Sequence, residues 1–418
     1  MSSFSKIPGV ADMVLISRRL IEPYKGLGSS LWSMFFATMI NRFGDFVGAF
    51  LALYLTRILH YDSVRTGAVI SLVFAASMAG SFLSGRLADA LGRKRALIAA
   101  QAGSALVNLV LAFLWSRPWA PFLIAVGSLF GGGARPLIGA VLTDLAPPER
   151  RKEVFGLQYW SINVGVAFGP LVAAFLFDRA IDLLFAGNAL CTLISVLLIS
   201  RGVKLRAAAR AATSLERNDE RGAVRAFFAR PILLAFMVLT LANSLTYSQT
   251  FFALPLSLST SFGVDGPRYL GFNISLNALL VIVLSIPVTR LMRGLPPLVC
   301  MSISGLFYVV GFGMLAFRLP LAGYAISTAI WTTGEIVGSN VFGIFVARHT
   351  PANWRATFQS FMSLGFGGGN TIGPLIAGPL IAAGGAPTLW VSVAGLCALW
   401  SIGALFMARW DSSIHATT

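Results

Sequence analysis

Ionisable and sulfur-bearing residues are scarce in this 418-residue chain: 11% of residues are charged, 16 are acidic, and histidine and cysteine number 3 each. Cys191, Cys300 and Cys397 are far apart and each lies in an apolar run. They offer neither a disulfide framework nor metal-ligand spacing, and core packing accounts for them. His60, His349 and His415 all fall in loops or near the ends of apolar runs, so any proton chemistry in mid-run must rest on carboxylates. The few polar residues inside the runs form no nucleophile–base pair, which argues against an enzyme. A G-x-x-x-x-G-K-[ST] loop is missing as well, which argues against ATP drive. No cofactor and no metal is expected.

What fills the chain instead is apolar sequence. Hydrophobic residues make up 56% of it and the mean hydropathy is +0.78, far from the usual soluble composition. Runs long enough to span a bilayer, about 20 residues each, recur along the whole length. Twelve are expected: roughly 31–59, 66–86, 95–116, 120–145, 154–177, 180–200, 231–259, 268–292, 298–317, 320–347, 355–382 and 386–408. Residues 1–30 mix charge with short apolar pieces and read as a partly amphipathic lead-in without a cleavable signal. With both ends placed inside, cytoplasmic segments hold 24 of the 32 Lys and Arg residues, the opposite loops hold 6, and Arg42 and Arg135 lie within spans. That asymmetry sets both termini in the cytoplasm. It also accounts for the net charge of +16 as a topology signal, so no nucleic-acid partner is expected.

The longest polar segment, 201–230, divides the chain into a unit at 1–200 and another at 231–418, with a solvated tether between them. The two units repeat each other at an offset of 204. Gly165 and Gly169-Pro170 of the first answer Gly369 and Gly373-Pro374 of the second, and Gly156 answers Ser360. Pro147 and Arg151 likewise answer Pro351 and Arg355. Such a repeat is what two parallel six-helix bundles would leave, so the expected fold is an all-α membrane protein of twelve transmembrane helices in two pseudo-symmetric halves.

Between spans 2 and 3 the chain reads Gly85-Arg86-Leu87-Ala88-Asp89-Ala90-Leu91-Gly92-Arg93-Lys94-Arg95. An ordinary positive-inside loop explains the basic residues Arg93 and Arg95, but not Asp89 and both glycines at this spacing. The pattern G-x-L-A-D-x-x-G-R-K-R resembles the loop between helices 2 and 3 of major facilitator superfamily transporters. The resemblance covers essentially the whole chain and implies a small-molecule transporter in a bacterial inner membrane, working as a monomer. It also implies that Gly85, Asp89, Gly92, Arg93 and Arg95 form a conformational latch, with Asp89 placed to pair with Arg93 or to sit against a helix end. The run from Gly156 through Gly165 to Gly169 and Pro170 resembles a helix-5 motif of proton-coupled antiporters, with Ala173-Ala174 in place of its closing glycines. Gly132-Gly133-Ala134-Arg135-Pro136 and the stretch from Phe155 to Gly165 resemble proton-coupled oligopeptide transporters. That family's E-x-x-E-R motif would fall on Thr38, Asn41 and Arg42, where neither glutamate is present. Asp144, the 147–163 region and Gly334-Glu335 resemble bacterial proton-driven multidrug transporters.

Charges inside spans are expensive and therefore functional candidates. In the implied fold the first and fourth helices of each half line a central cavity, and the intramembrane charges fall on them. Glu335 lies near the middle of span 10, and Asp45 in span 1 and Asp144 at the end of span 4 are the other carboxylates that could carry protons. Glu335 has a structural alternative, an ion pair with Arg135 or Arg42. In span 1, Asn41 and Asp45 lie one turn apart, and an Arg42–Asp45 pair would lower the burial cost of both. Candidate substrate contacts are Arg135, Arg42, Asn41, Tyr159, Asn163, Asn243, Tyr247 and Trp331, since aromatic walls with sparse polar groups suit amphipathic organic compounds. The expected activity is proton-driven efflux of such compounds, with uptake of peptides or other zwitterions as the alternative.

Overall fold

A computed structural model describes residues 24–205, 225–339, 341–350 and 355–416. Most of the expected lead-in and tether, at 1–23 and 206–224, lies outside the described residues. Ten helical stretches among the described residues are long and apolar enough to cross a membrane. Two of them, Pro231–Leu291 with 61 residues and Phe361–Ser412 with 52, are too long for one passage. At 1.5 Å per residue a straight helix of that length would be more than twice the thickness of a bilayer core. They turn back at Gly263 (φ 54°) and Gly385 (φ 73°), where a left-handed backbone favours glycine. Twelve crossings result, as the hydropathy pattern predicts. Large apolar side chains such as Phe113, Phe122, Phe175, Leu306 and Leu399 point outward, as lipid-facing surfaces require.

In the first bundle, α1 (Ser29–Phe43) and α2 (Phe46–Leu53) make one crossing, extended by a π-helical turn at Tyr54–Ile58. It continues with α3 (Ser63–Leu91), α4 (Arg93–Leu114), α5 (Ala120–Leu145), α6 (Arg151–Phe177) and α7 (Ile181–Gly202). In the second, α8 (Pro231–Tyr247) and α9 (Ala253–Phe262) share a crossing, followed by α10 (Gly266–Leu291) and α11 (Pro297–Met314). Next, α12 (Leu321–Ser339) and α13 (Val341–His349) share the tenth crossing, and α14 (Arg355–Ala416) supplies the last two. The end carrying the 85–95 loop is termed the basic face, and the opposite end the far face.

The first crossing of each bundle is broken, which hydropathy does not reveal. Asp45 has ψ 57°, outside the helical range, and separates α1 from α2. At an offset of 204, Ser248–Thr250 forms a 3₁₀ turn between α8 and α9. Each break lies against a glycine of the repeated helix-5 motif. A methyl at Gly165 would sit 2.5 Å from the Met39 carbonyl oxygen, and one at Gly169 would sit 2.2 Å from that of Phe43. In the second bundle a methyl at Gly369 would sit 2.3 Å from the Leu241 carbonyl, and one at Gly373 would sit 2.0 Å from Ser248 Oγ. The adjoining prolines reach across to the other bundle: Gly271 abuts the Pro170 carbonyl, and its repeat partner Gly67 abuts that of Pro374. Small residues therefore let three backbones meet at each node.

Gly169→Val should lower stability by about 1–3 kcal/mol, the usual cost of overpacking. Gly156→Val should be nearly neutral, because its added carbon would meet only Tyr24 Oη at 3.5 Å. Thermal unfolding in detergent compares the two, and equal midpoints would contradict the assigned role of the Gly169 node.

Packing also distinguishes the two faces. One apolar core contains only first-bundle residues near the basic face, including Leu31, Leu97, Val141 and Leu157. The larger core joins both bundles and includes the far-face residues Phe50, Phe177, Phe252 and Leu254. The halves therefore share a core toward the far face.

Candidate functional site

The centre of the molecule is organised around Glu335 on α12. Its side chain is half-buried at mid-span, so it borders open space inside the bundle. One carboxylate oxygen accepts a hydrogen bond from the Tyr247 hydroxyl of α8 at 3.1 Å. The other accepts from the Asn277 amide of α10 at 3.0 Å, and that amide also donates to Thr332 Oγ1 at 2.9 Å. All of these partners are neutral. Among the described residues no ion pair joins Glu335 to Arg135 or Arg42, which removes the structural-pair alternative.

Close packing fixes the carboxylate. Ser304 Oγ of α11 donates to the Gly334 carbonyl at 2.7 Å, and a methyl at Gly334 would collide with Phe307 and Tyr308 at 2.8 Å. Trp331, one turn before Glu335, is buried. It stacks on Phe312 with centroids 5.8 Å apart and meets the Tyr247 ring edge-on at 6.4 Å. Its position makes it a support for Tyr247 rather than a wall of the open space, contrary to the expectation of substrate contact. Asn243 is half-buried one turn before Tyr247.

The first bundle faces this acidic group with cations. Arg135 of α5 is exposed at mid-span and lies within electrostatic range of Arg42 and of Tyr247 across the bundle interface. Arg42 pairs with Asp45 at 3.5 Å, and the Asp45 side chain is 48% exposed. The Arg42–Asp45 pair forms as the sequence reading allowed, and the Asn41 amide donates to Thr192 Oγ1 of α7 at 3.2 Å, bracing α1 against α7.

Tyr159 of α6 lies within electrostatic range of Glu335 and faces Ser285 of α10 across a shared cavity wall. The Asn163 amide donates to the Tyr159 carbonyl at 2.9 Å. Tyr159 and Asn163 line a cavity of about 320 Å³ between α6 and α10.

At the far face Arg57 clasps the bundles together. Its Nε donates to Ser259 Oγ at 2.8 Å and its Nη2 to the Gly263 carbonyl. Ser63 Oγ adds a bond to the Gly378 carbonyl at 3.0 Å. Asp178, just beyond α6, balances the arginine: burial pushes its carboxyl up, while Arg57 and Arg179 act in the opposite sense. Arg57→Ala should release the clasp. Spin labels at positions 117 and 318, on exposed far-face turns, should then gain a longer-distance population several-fold; an unchanged distribution would show that Arg57 does not hold this face.

Two repeated six-helix bundles closed at one end around an acid–base centre define an architecture, and sequence comparison assigns it. The family model described as Major Facilitator Superfamily matches residues 34–367. The chain belongs to the major facilitator superfamily. Among its relatives, this transporter is 23% identical over 366 residues to the MFS-type transporter YqjV of Bacillus subtilis, covering 86% of this chain and 88% of that one. It is 24% identical over 362 residues to a Na(+), Li(+), K(+)/H(+) antiporter of Planococcus maritimus, covering 78% and 83%. Its fold matches a crystal structure of a peptide transporter, POT, in complex with sulfate, with TM-score 0.76, 17% identity and coverage of 92% and 95%.

In this transporter the basic-face loop is arranged differently from the sequence expectation. Gly92 has φ 82° and makes the turn, but a methyl at Gly85 would meet nothing within 4 Å, so no close approach depends on it here. Arg93 pairs with Asp144 at the end of α5, where Asp144 is only 10% exposed. This pair ties Asp144 to the loop. Lys94 caps α7, donating to the Ser200 and Val203 carbonyls at 2.7 Å each, the favourable arrangement for a cation at a helix C-terminus. Sequence reading gave no role to Thr332 or Arg57. The i, i+3 spacing of Thr332 and Glu335 was the available signal.

Proposed function

We propose that this transporter exports amphipathic organic compounds in exchange for protons by alternating access, as a monomer in the bacterial inner membrane with its basic face and both termini in the cytoplasm. The observation that carries the reading is the environment of Glu335. A carboxylate at mid-membrane held only by neutral donors lacks a countercharge, and its ionised form is costly there. A proton or a cationic group of a substrate can supply the missing charge, and the two compete for one site. Mutually exclusive occupancy is the logic of exchange. Asp45, exposed at the break in the first crossing, is the second candidate for carrying protons. The latch role falls to the 85–95 loop, where Asp89 would hold the basic face closed and the Arg93–Asp144 pair would keep the loop in place.

Arg135 favours a second reading. Exposed at mid-span and within electrostatic range of Tyr247, which bonds Glu335, it could hold a substrate carboxylate while Glu335 takes the opposite charge, as a proton-coupled zwitterion symporter would require. Tyr159, Asn163 and Asn243 would line the path in both readings. A panel of amphipathic cations, zwitterions and anions, assayed in proteoliposomes under an imposed pH gradient, tests the choice. Uphill movement of cationic members against the proton flow supports exchange; co-directional movement of zwitterions alone supports the second reading. Rates unchanged when the gradient is collapsed would refute both.

A further inference from the structure

The cavity between α6 and α10 is a seam feature, with one wall from each bundle. Trp160 lines it from α6, Ile282 and Ile286 from α10, and Arg290 and Arg293 also border it. Because α10 starts beside Arg57 at the far face, its other end, with both arginines, lies at the basic face. Ile286, Arg290 and Arg293 are exposed. Among the described residues, neither arginine has an ion pair.

The repeat shows what is missing. At an offset of 204, Arg293 stands where the first bundle has Asp89, and Arg348 where it has Asp144. The carboxylate that balances Arg93 therefore has no counterpart in the second bundle. Two uncompensated guanidinium groups at the membrane surface, above an apolar slot, match an amphiphile with an anionic head. At that depth the leaflet itself supplies one.

We propose that the α6–α10 seam binds an anionic phospholipid of the basic-face leaflet. Its phosphate rests on Arg290 and Arg293, and an acyl chain enters between Trp160 and the Ile282–Ile286 stripe. The lipid touches both bundles, so its occupancy ties leaflet composition to their relative movement. The slot adjoins the Glu335 centre through Tyr159 and Asn163, which line the same cavity, but its Arg290–Arg293 end lies at the basic face and the proposal stands whether or not the exchange reading holds.

Native mass spectrometry of the whole purified protein, equilibrated with equal amounts of phosphatidylglycerol and phosphatidylethanolamine in mixed micelles, tests the proposal. The wild type should retain phosphatidylglycerol at least fivefold over phosphatidylethanolamine. R290A/R293A should bring the ratio close to one, while R117A, which removes an exposed far-face arginine, should leave it unchanged. Ile286→Trp, which fills the slot without changing charge, should also lower retention and guards against a folding artefact in the double variant. Undiminished preference in both R290A/R293A and Ile286→Trp would overturn the site, and so would equal loss in R117A. Complete displacement by millimolar inorganic phosphate would mark a small-anion site and equally refute a lipid.

Discussion

Replacing Glu335 by glutamine is expected to abolish pH-gradient-driven accumulation of substrate, to below about one-hundredth of the wild-type level, while binding of neutral substrates changes less than about threefold. Glutamine is nearly isosteric and keeps one oxygen to accept from Tyr247, which lies 3.1 Å from the carboxylate. Its new amide would face the Asn277 amide, now 3.0 Å away, and a flip of the Asn277 side chain restores a donor–acceptor pair. The fold should therefore survive with a cost of about 1 kcal/mol or less. What disappears is the exchangeable proton, and among the described residues no other carboxylate sits in this network. Uphill accumulation in proteoliposomes, with binding measured separately by tryptophan quenching, separates the two effects. Full accumulation by the glutamine variant would remove Glu335 from the coupling step.

Arg135→Ala should divide substrates by charge. Affinity for compounds carrying a carboxylate should fall by about 10–100-fold, the effect of losing a hydrogen bond to a charged group worth about 1.5–3 kcal/mol. Neutral and cationic compounds should shift by about threefold or less. Because Arg135 is exposed and no described acidic residue pairs with it, the variant should keep its thermal midpoint. An equal loss for every compound, together with a lowered midpoint, would identify the arginine as structural.

The parts of the molecule legible in sequence were those written in local pattern. Hydropathy located all twelve crossings because lipid imposes their length and composition. The 204-residue repeat was legible because the glycines at 165, 169, 369 and 373 serve backbone contacts that no larger residue could make. Glu335 was legible because a lone acid in an apolar run is anomalous. Its partners were not: Tyr247 and Asn277 lie 88 and 58 residues away in sequence, and one chain carries no signal of such pairing. The Arg93–Asp144 pair was not legible for the same reason, since the two are 51 residues apart. The break in the first crossing was not legible either: Gly44 packs so closely on Cys191 that no side chain fits, and the helix is interrupted there.

The central claim is that Glu335 carries the proton exchanged for substrate. It is tested most directly by recording lumenal pH with a trapped dye as a transported compound is added outside proteoliposomes of known orientation, for the wild type and Glu335→Gln in parallel. The account predicts lumenal alkalinisation, as substrate enters and protons leave in exchange, scaling with the amount moved, and no pH change for the glutamine variant although downhill substrate movement continues. An identical pH signal from both proteins, or proton movement in the same direction as the substrate, would contradict it.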